Sequence, residues 1–187
     1  MIEGRHVRLR SFELSDVDEI MKHWNNIELR NLVGGADRGP TSINDEEEWI
    51  RETWKHRRER TAFTFAIETV SDRRLIGGIS LFNFNLTSRS VVLGVSLYDP
   101  KNRGKGYGTE AVNLALSFAF RTLNVNRVEL YTFDFNEQAQ RCYEKVGFKE
   151  VGRRRKARFI DGKYVNDIIM DILAEEWLGK QKSTEKP

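Results

Sequence analysis

Apolar residues along this chain switch repeatedly between a period of two and a period near 3.6. His6 to Leu9 alternates as a strand does, and Ser15-Asp16 then offers a cap for the helical spacing Val17, Ile20, Met21 and Trp24. The stretch from Gly34-Gly35 to Gly39-Pro40 breaks the pattern, and Asn44 stands where it would cap a second helix bearing Trp49, Ile50 and Trp54. Phe63 to Glu68 and Leu75 to Phe84 read as strands joined by the polar turn Ser71-Asp72-Arg73. Ser90 to Tyr98 reads as another, stopped at Asp99-Pro100 because proline has no ladder donor. A helix is predicted over Thr109 to Thr122, with Ala111, Val112, Ala115, Leu116 and Ala119 on one face. Arg127 to Phe133 reads as a strand and Asn136 to Val146 as a helix ended by Gly147. Phe148 to Arg154 and Asn166 to Leu173 read as two closing strands turning at Asp161-Gly162. Hairpins followed by strand, helix, strand, helix predict an α/β (α+β mixed) domain, a mixed sheet with helices on both faces. The domain is expected over residues 1–178, with a polar tail at 179–187.

Composition narrows the class. A chain of 187 residues suits one α/β core, and 39% hydrophobic with 32% charged residues implies neither disorder nor a membrane protein. The first ten residues carry Glu3, Arg5, Arg8 and Arg10 and have no apolar core, unlike a signal peptide. The single cysteine, Cys142, has no internal disulfide partner, and no Cys/His spacing suits a metal, so a reducing cytoplasm and no metal are expected. The net charge of +3 makes no case for nucleic acid.

Candidate chemistry concentrates in Arg103-Gly104-Lys105-Gly106-Tyr107-Gly108-Thr109, between a strand and a helix. A glycine-rich turn there leaves backbone N–H groups unpaired, and the helix adds the positive end of its dipole. Together they form an anion site that needs no side-chain charge. The glycines lack the GxxxxGK[ST] spacing of a P-loop, and their GxGxG differs from the GxGxxG of a dinucleotide fold.

This run resembles the (Gln/Arg)-x-x-Gly-x-(Gly/Ala) signature of the GNAT superfamily of N-acetyltransferases. Asn136, Ala139, Tyr143 and Lys145-Val146-Gly147-Phe148 are similar to its second signature, in the expected order. The similarity extends over about Val7 to Leu173 and is closest in flavour to the RimJ/RimL branch and to bacterial spermidine acetyltransferases. It implies a mixed, mostly antiparallel sheet of about seven strands flanked by about four helices and splayed at the cofactor site. It implies acetyl-CoA as cosubstrate, an amine acceptor and compatibility with a homodimer. By the same resemblance Ser96, Leu97 and Tyr98 offer backbone groups to the pantetheine arm, and Arg103 to Gly108 hold the pyrophosphate with Thr109 beside it. Asn136 bonds the pantetheine from the far side of the splay, and Tyr143 protonates the leaving thiolate. Relatives of this flavour often carry a glutamate where this chain has Leu93, which leaves the identity of a base open. Glu68 is one alternative, acting through water, and an ordinary strand carboxylate is the other.

Other residues have plainer readings. Cys142 sits on a packed helical stripe, and His6, His23 and His56 are scattered. Tyr143 shares that stripe, so packing competes with catalysis as its role. Trp49, Trp54, Phe82 and Phe84 suit a core, and Asp45 to Glu48 suit the first turn of a helix, with a polyamine site as the sharper alternative. Arg153 to Lys156 and Arg158 suit a charged strand edge better than an RNA surface. An α-amine with pKa about 7.8 is about 10–20% neutral at pH 7, against about 0.04% for an alkylamine near 10.4. With Leu93 in place of a base and few carboxylates on Ile79 to Phe84, a protein or peptide N-terminus is the expected acceptor, with a polyamine or small-molecule amine as the alternative. A non-catalytic acyl-CoA-binding or RNA-associated module is the rival of another class.

Overall fold

In the computed structural model, which describes residues 1–184, the chain begins with two short antiparallel strands, β1 (Ile2–Glu3) and β2 (Val7–Arg10). β2 buries Val7 and Leu9 and leaves Arg8 and Arg10 half-buried on its other face, as its alternation predicts. Three helices follow, α1 (Val17–Trp24), α2 (Ile27–Val33) and α3 (Ile43–Glu59). α2 was not expected. Asn26 caps its start by accepting from the backbone of Glu28 and Leu29, and Gly34, at φ 73°, ends it. α3 starts earlier than Asn44 would allow, because Ser42 and Asp45 close a reciprocal capping box.

The next three strands, β3 (Phe63–Thr69), β4 (Leu75–Asn85) and β5 (Ser90–Leu97), form an antiparallel meander. Helix α4 (Tyr107–Ser117) runs on into a π-helical turn at Phe118–Thr122, and β6 (Arg127–Phe133) and α5 (Glu137–Val146) come after it. β7 (Lys149–Ile160) and β8 (Lys163–Leu173) make a long hairpin whose turn residues, Asp161 and Gly162, both have positive φ, the geometry of a tight hairpin turn. Helix α6 (Ala174–Thr184) continues through Gly179, so the expected tail begins inside a helix, and residues 185–187 lie outside the described part.

The mixed α/β fold is the expected one, with eight strands and six α-helices among the described residues. The sheet order is β1-β2-β3-β4-β5-β6-β8-β7. One face packs against α4, α5 and α6 around Leu81, Leu93, Leu116, Leu130 and Ile168. The other carries α1 and α3 around Phe12, Ile20 and Ile50. β5 and β6 are the parallel neighbours, and they pair only through Ser90–Val92 and Arg127–Glu129. Beyond that point they diverge.

Candidate active site

That divergence leaves β5 from Leu93 onward without a partner on its β6 side and opens a cleft of about 1130 Å³. The unpaired strand edge presents backbone donors and acceptors to whatever enters. Ser96, Leu97 and Tyr98 line this edge, with Ser96 and Leu97 fixed from behind by their pairing with Gly78 and Gly77. A side chain at Gly77 would stand 2.1 Å from the Ser96 carbonyl, so glycine there permits the close strand approach.

The glycine loop closes one end of the cleft. Gly104 and Gly106 have φ of 75° and 86°, the left-handed region that glycine enters freely, and Gly106 is the N-cap of α4. Among the described residues no acceptor takes the N–H groups of Gly104 to Thr109, whereas Glu110 N–H already reaches the Gly106 carbonyl at 3.0 Å. Space for a Cβ is open at Gly106, with no atom within 4 Å. Unpaired N–H groups, a helix N-terminus and open space suit a diphosphate. Arg103, Gly104, Gly106, Gly108 and Thr109 line the cleft, and Arg103 also donates to the Leu97 carbonyl at 3.3 Å. Lys105 is exposed and Tyr107 packs on the core; neither side chain lines the cleft.

Helix α5 forms the opposite wall. Asn136, its N-cap, accepts from Ala139 N–H at 3.2 Å and lines the cleft with its neighbour Gln138. Tyr143 is 7% exposed, stacks edge-on to Phe148 and lines the cleft, and its hydroxyl has no hydrogen bond among the described residues. Burial pushes its pKa up, reinforced by Cys142. The phenol therefore stays protonated throughout the neutral range. Cys142 is half-buried, with its thiol 3.3 Å from the Thr109 hydroxyl and its pKa raised by burial, the inert thiol expected of a packed stripe.

The far half of the cleft is built by α3, whose acidic run Asp45 to Glu48 the sequence assigns to a helical first turn with a polyamine site as the alternative. Glu46, Trp49, Thr53 and His56 follow one another at helical spacing and all line it. Asp45 and Glu52 flank them. Asp45 behaves as a first-turn carboxylate: its bonds to the Ser42 backbone and hydroxyl lower its pKa. Glu46 does not. It is only 4% exposed, and among the described residues its carboxylate has neither a hydrogen-bond donor nor an ion-pair partner. Burial, then the charge of Asp45, raise its pKa to about 7. Its charge in turn helps to raise the pKa of Tyr98, a buried phenol on the same cleft wall, after burial itself. The expectation that the cleft is poor in carboxylates is thereby corrected. They come from α3 and not from β4, which contributes Ser80 and Phe82.

Leu93 is core, 2% exposed, so no base sits there. Glu68 does not line the cleft. It is buried between Arg8 and Arg10, whose hydrogen bonds overcome desolvation and lower its pKa. Trp54 donates its indole N–H to the Phe12 carbonyl at 2.8 Å and Phe84 packs on Phe63, which is the core role expected of them. Arg153 to Arg158 are exposed along β7 as a charged edge, and Arg154 pairs with the buried Asp167. Among the described residues there is no helix long and apolar enough to cross a membrane and no cluster suited to a metal ion.

Comparison with known proteins gives a consistent answer. The profile of the Acetyltransferase (GNAT) domain matches residues 6–149. The spermidine N(1)-acetyltransferase of Vibrio cholerae is 29% identical over 93% of this chain and 96% of its own. The putative ribosomal N-acetyltransferase YdaF of Bacillus subtilis is 27% identical over 95% of this chain and 97% of its own. A crystal structure of the Vibrio cholerae spermidine N-acetyltransferase in complex with CoA and spermine matches with a TM-score of 0.81 at 28% identity, covering 92% of this chain and 98% of that one.

Proposed function

We propose that this chain, which belongs to the GNAT acetyltransferase family, moves the acetyl group of acetyl-CoA to a primary amine of a cationic, polyamine-type acceptor. The observation that carries the acceptor assignment is the row of carboxylates Asp45, Glu46 and Glu52 along the cleft face of α3. A polycation loses much of its hydration on entering a cleft, and fixed carboxylates offset that loss. The spermidine acetyltransferases among the relatives support the same reading.

In this reading the diphosphate of acetyl-CoA lies on the free N–H groups of Gly104 to Gly108 with Thr109 beside it, while the backbone N–H of Arg103 is donated to the Pro100 carbonyl at 3.0 Å. The pantetheine arm runs along the free edge of β5 at Ser96 to Tyr98, with Asn136 on the other side. The acceptor nitrogen attacks the thioester carbonyl; a C–N bond forms and the C–S bond breaks, its electron pair passing to sulfur. Tyr143 donates its phenolic proton to that sulfur, and no covalent enzyme intermediate is needed. Holding both reactants in one cleft supplies much of the rate.

An α-amine acceptor of the RimJ/RimL kind is the second reading. It is favoured by Arg38 and Arg158 on the cleft lining, which repel a polycation, and by the ribosomal acetyltransferase relative. Thiol release from acetyl-CoA with spermidine, peptide N-termini and small amines separates the two. The polyamine reading expects the highest kcat/KM with spermidine or spermine. Turnover confined to peptide N-termini overturns it.

A further inference from the structure

We infer that Glu46 is the catalytic base of this cleft: its carboxylate receives the proton that the acceptor nitrogen must lose as it bonds to the acetyl carbon. The inference rests on the acetyl-transfer reading and extends it to a residue that neither signature contains. Three features of geometry support it. Glu46 lines the cleft on the face of α3 that also presents Trp49 and Thr53. It is buried, yet it has no donor or cation of its own among the described residues. Its oxygens keep contact with the cleft, but a largely buried carboxylate with no protein partner is unfavourable, and such groups persist where a ligand supplies the partner. The other candidate positions for a base are closed, Leu93 by its side chain and Glu68 by its two arginines.

Its surroundings suit the role. The titratable and charged groups on the same helix and its neighbours that line this space are Asp45, Glu52 and His56 from α3, Arg30 from α2, Arg38 from the turn after it and the Tyr98 phenol at the end of β5, with Arg103, Tyr131, Arg141, Tyr143, Lys145, Arg158 and Asp167 lining the rest of the cleft. Arg30 is engaged elsewhere, donating to the Gly35 carbonyl at 2.8 Å and to Asn25. Burial and Asp45 raise the Glu46 pKa to about 7, and a base is most effective with a pKa near the working pH.

Proton accounting closes without a further reactant. The acceptor ammonium first loses one proton to solvent. As the C–N bond forms, the remaining surplus proton on nitrogen passes to Glu46, while Tyr143 protonates the departing sulfur. Glu46 then returns its proton through solvent to the Tyr143 phenolate, leaving an amide, a thiol and one released proton.

The test is the pH dependence of kcat/KM for the acceptor that the wild type turns over best. Wild type is expected to show an acidic limb with a midpoint near 7. Glu46→Gln is expected to lose that limb and to lower kcat by about 10²–10⁴-fold, with the melting-temperature rise given by acetyl-CoA unchanged. Glu46→Asp keeps a carboxylate and is expected to keep the limb at reduced kcat. His56→Gln, which removes the imidazole on the same face, is expected to keep it as well. A Glu46→Gln enzyme that binds acetyl-CoA normally and retains both the limb and kcat within about threefold overturns the inference alone. A limb abolished by His56→Gln does the same. Wild-type inactivity on every amine overturns the acetyl-transfer reading together with the inference.

Discussion

Replacing Glu46 by glutamine is expected to make the protein more stable at pH 8 and to leave its stability almost unchanged at pH 4. The side chain is buried, and its folded-state pKa of about 7 lies well above the ordinary 4.5. Between those two values the folded state holds the proton more often than the unfolded state does. Stability therefore falls as pH rises through this window and is level above it. At about 1.4 kcal/mol for each pH unit between the two pKa values, the carboxylate destabilises the fold by about 3 kcal/mol at pH 8, reduced to about 2–3 where cleft water screens it. Glutamine has the same shape and no charge, so Glu46→Gln should recover most of that. For a chain of this length each kcal/mol moves the melting temperature by about 2–4 °C, which gives a rise of about 4–12 °C at pH 8. Scanning calorimetry of both proteins from pH 4 to pH 8 measures it. An unchanged or lower melting temperature at pH 8, or a gain that does not depend on pH, would refute the assignment of a buried, unpaired carboxylate.

Gly106→Asp should abolish the melting-temperature rise produced by acetyl-CoA while the protein stays folded. Aspartate tolerates a φ of 86° better than most residues and has room there, but its charge occupies the anion site; a retained shift by thermal melting rules out the diphosphate assignment. Tyr143→Phe keeps the ring packed on Phe148 and should lower the single-turnover rate by about 10²–10⁴-fold at saturating acetyl-CoA; a rate within about threefold of wild type removes Tyr143 from the chemistry. Glu68→Gln leaves Arg8 and Arg10 without their shared carboxylate and should cost about 3 kcal/mol by urea unfolding, with the acetyl-CoA-induced shift intact. Because the Glu68 pKa is lowered, its contribution is present at neutral pH and lost on acidification below the ordinary carboxylate range, so the difference between wild type and this variant should shrink there.

The elements legible in the sequence were those whose environment is one-sided. Periodicity predicts β6 to the residue and α5 to within one residue at its start, because a single face of each is buried and the period is undisturbed. The sequence pattern predicts β7 only as far as Arg154. It is an edge strand with nearly every side chain exposed, so Lys149–Ile160 has no alternation to find, and its pairing with β8 alone holds it extended. α2 is too short to show a stripe, and its ends are set by Asn26 and Gly34, residues that read equally well as loop. In the site, the glycine loop was legible for a local reason. Its positive φ values and bare N–H groups follow from residues adjacent in the chain, so spacing alone identifies it.

Within the acidic run Asp45 to Glu48, the burial of Glu46 in the cleft is not legible, and the reason lies in its neighbour. Asp45 and Glu46 are adjacent acidic residues in one helical first turn, where the dipole favours both equally and composition cannot tell them apart. Successive residues on a helix point about 100° apart, so one can face solvent while the next faces the sheet. Asp45 stays exposed at the rim of the cleft and completes the capping box with Ser42, and Glu46 is carried inward with Trp49 and Thr53. The spacing i, i+3, i+7 was present in the sequence, but reading it required knowing that α3 lies across the outer face of β3 to β5 at the mouth of the splay. That placement comes from tertiary packing, through Ile50 against Phe12 and Ala66 and through the Trp54 bond to the Phe12 carbonyl. The same packing that stabilises α3 therefore holds a carboxylate largely out of water, and removing its charge while α3 stays in place is what separates a functional burden from a structural need.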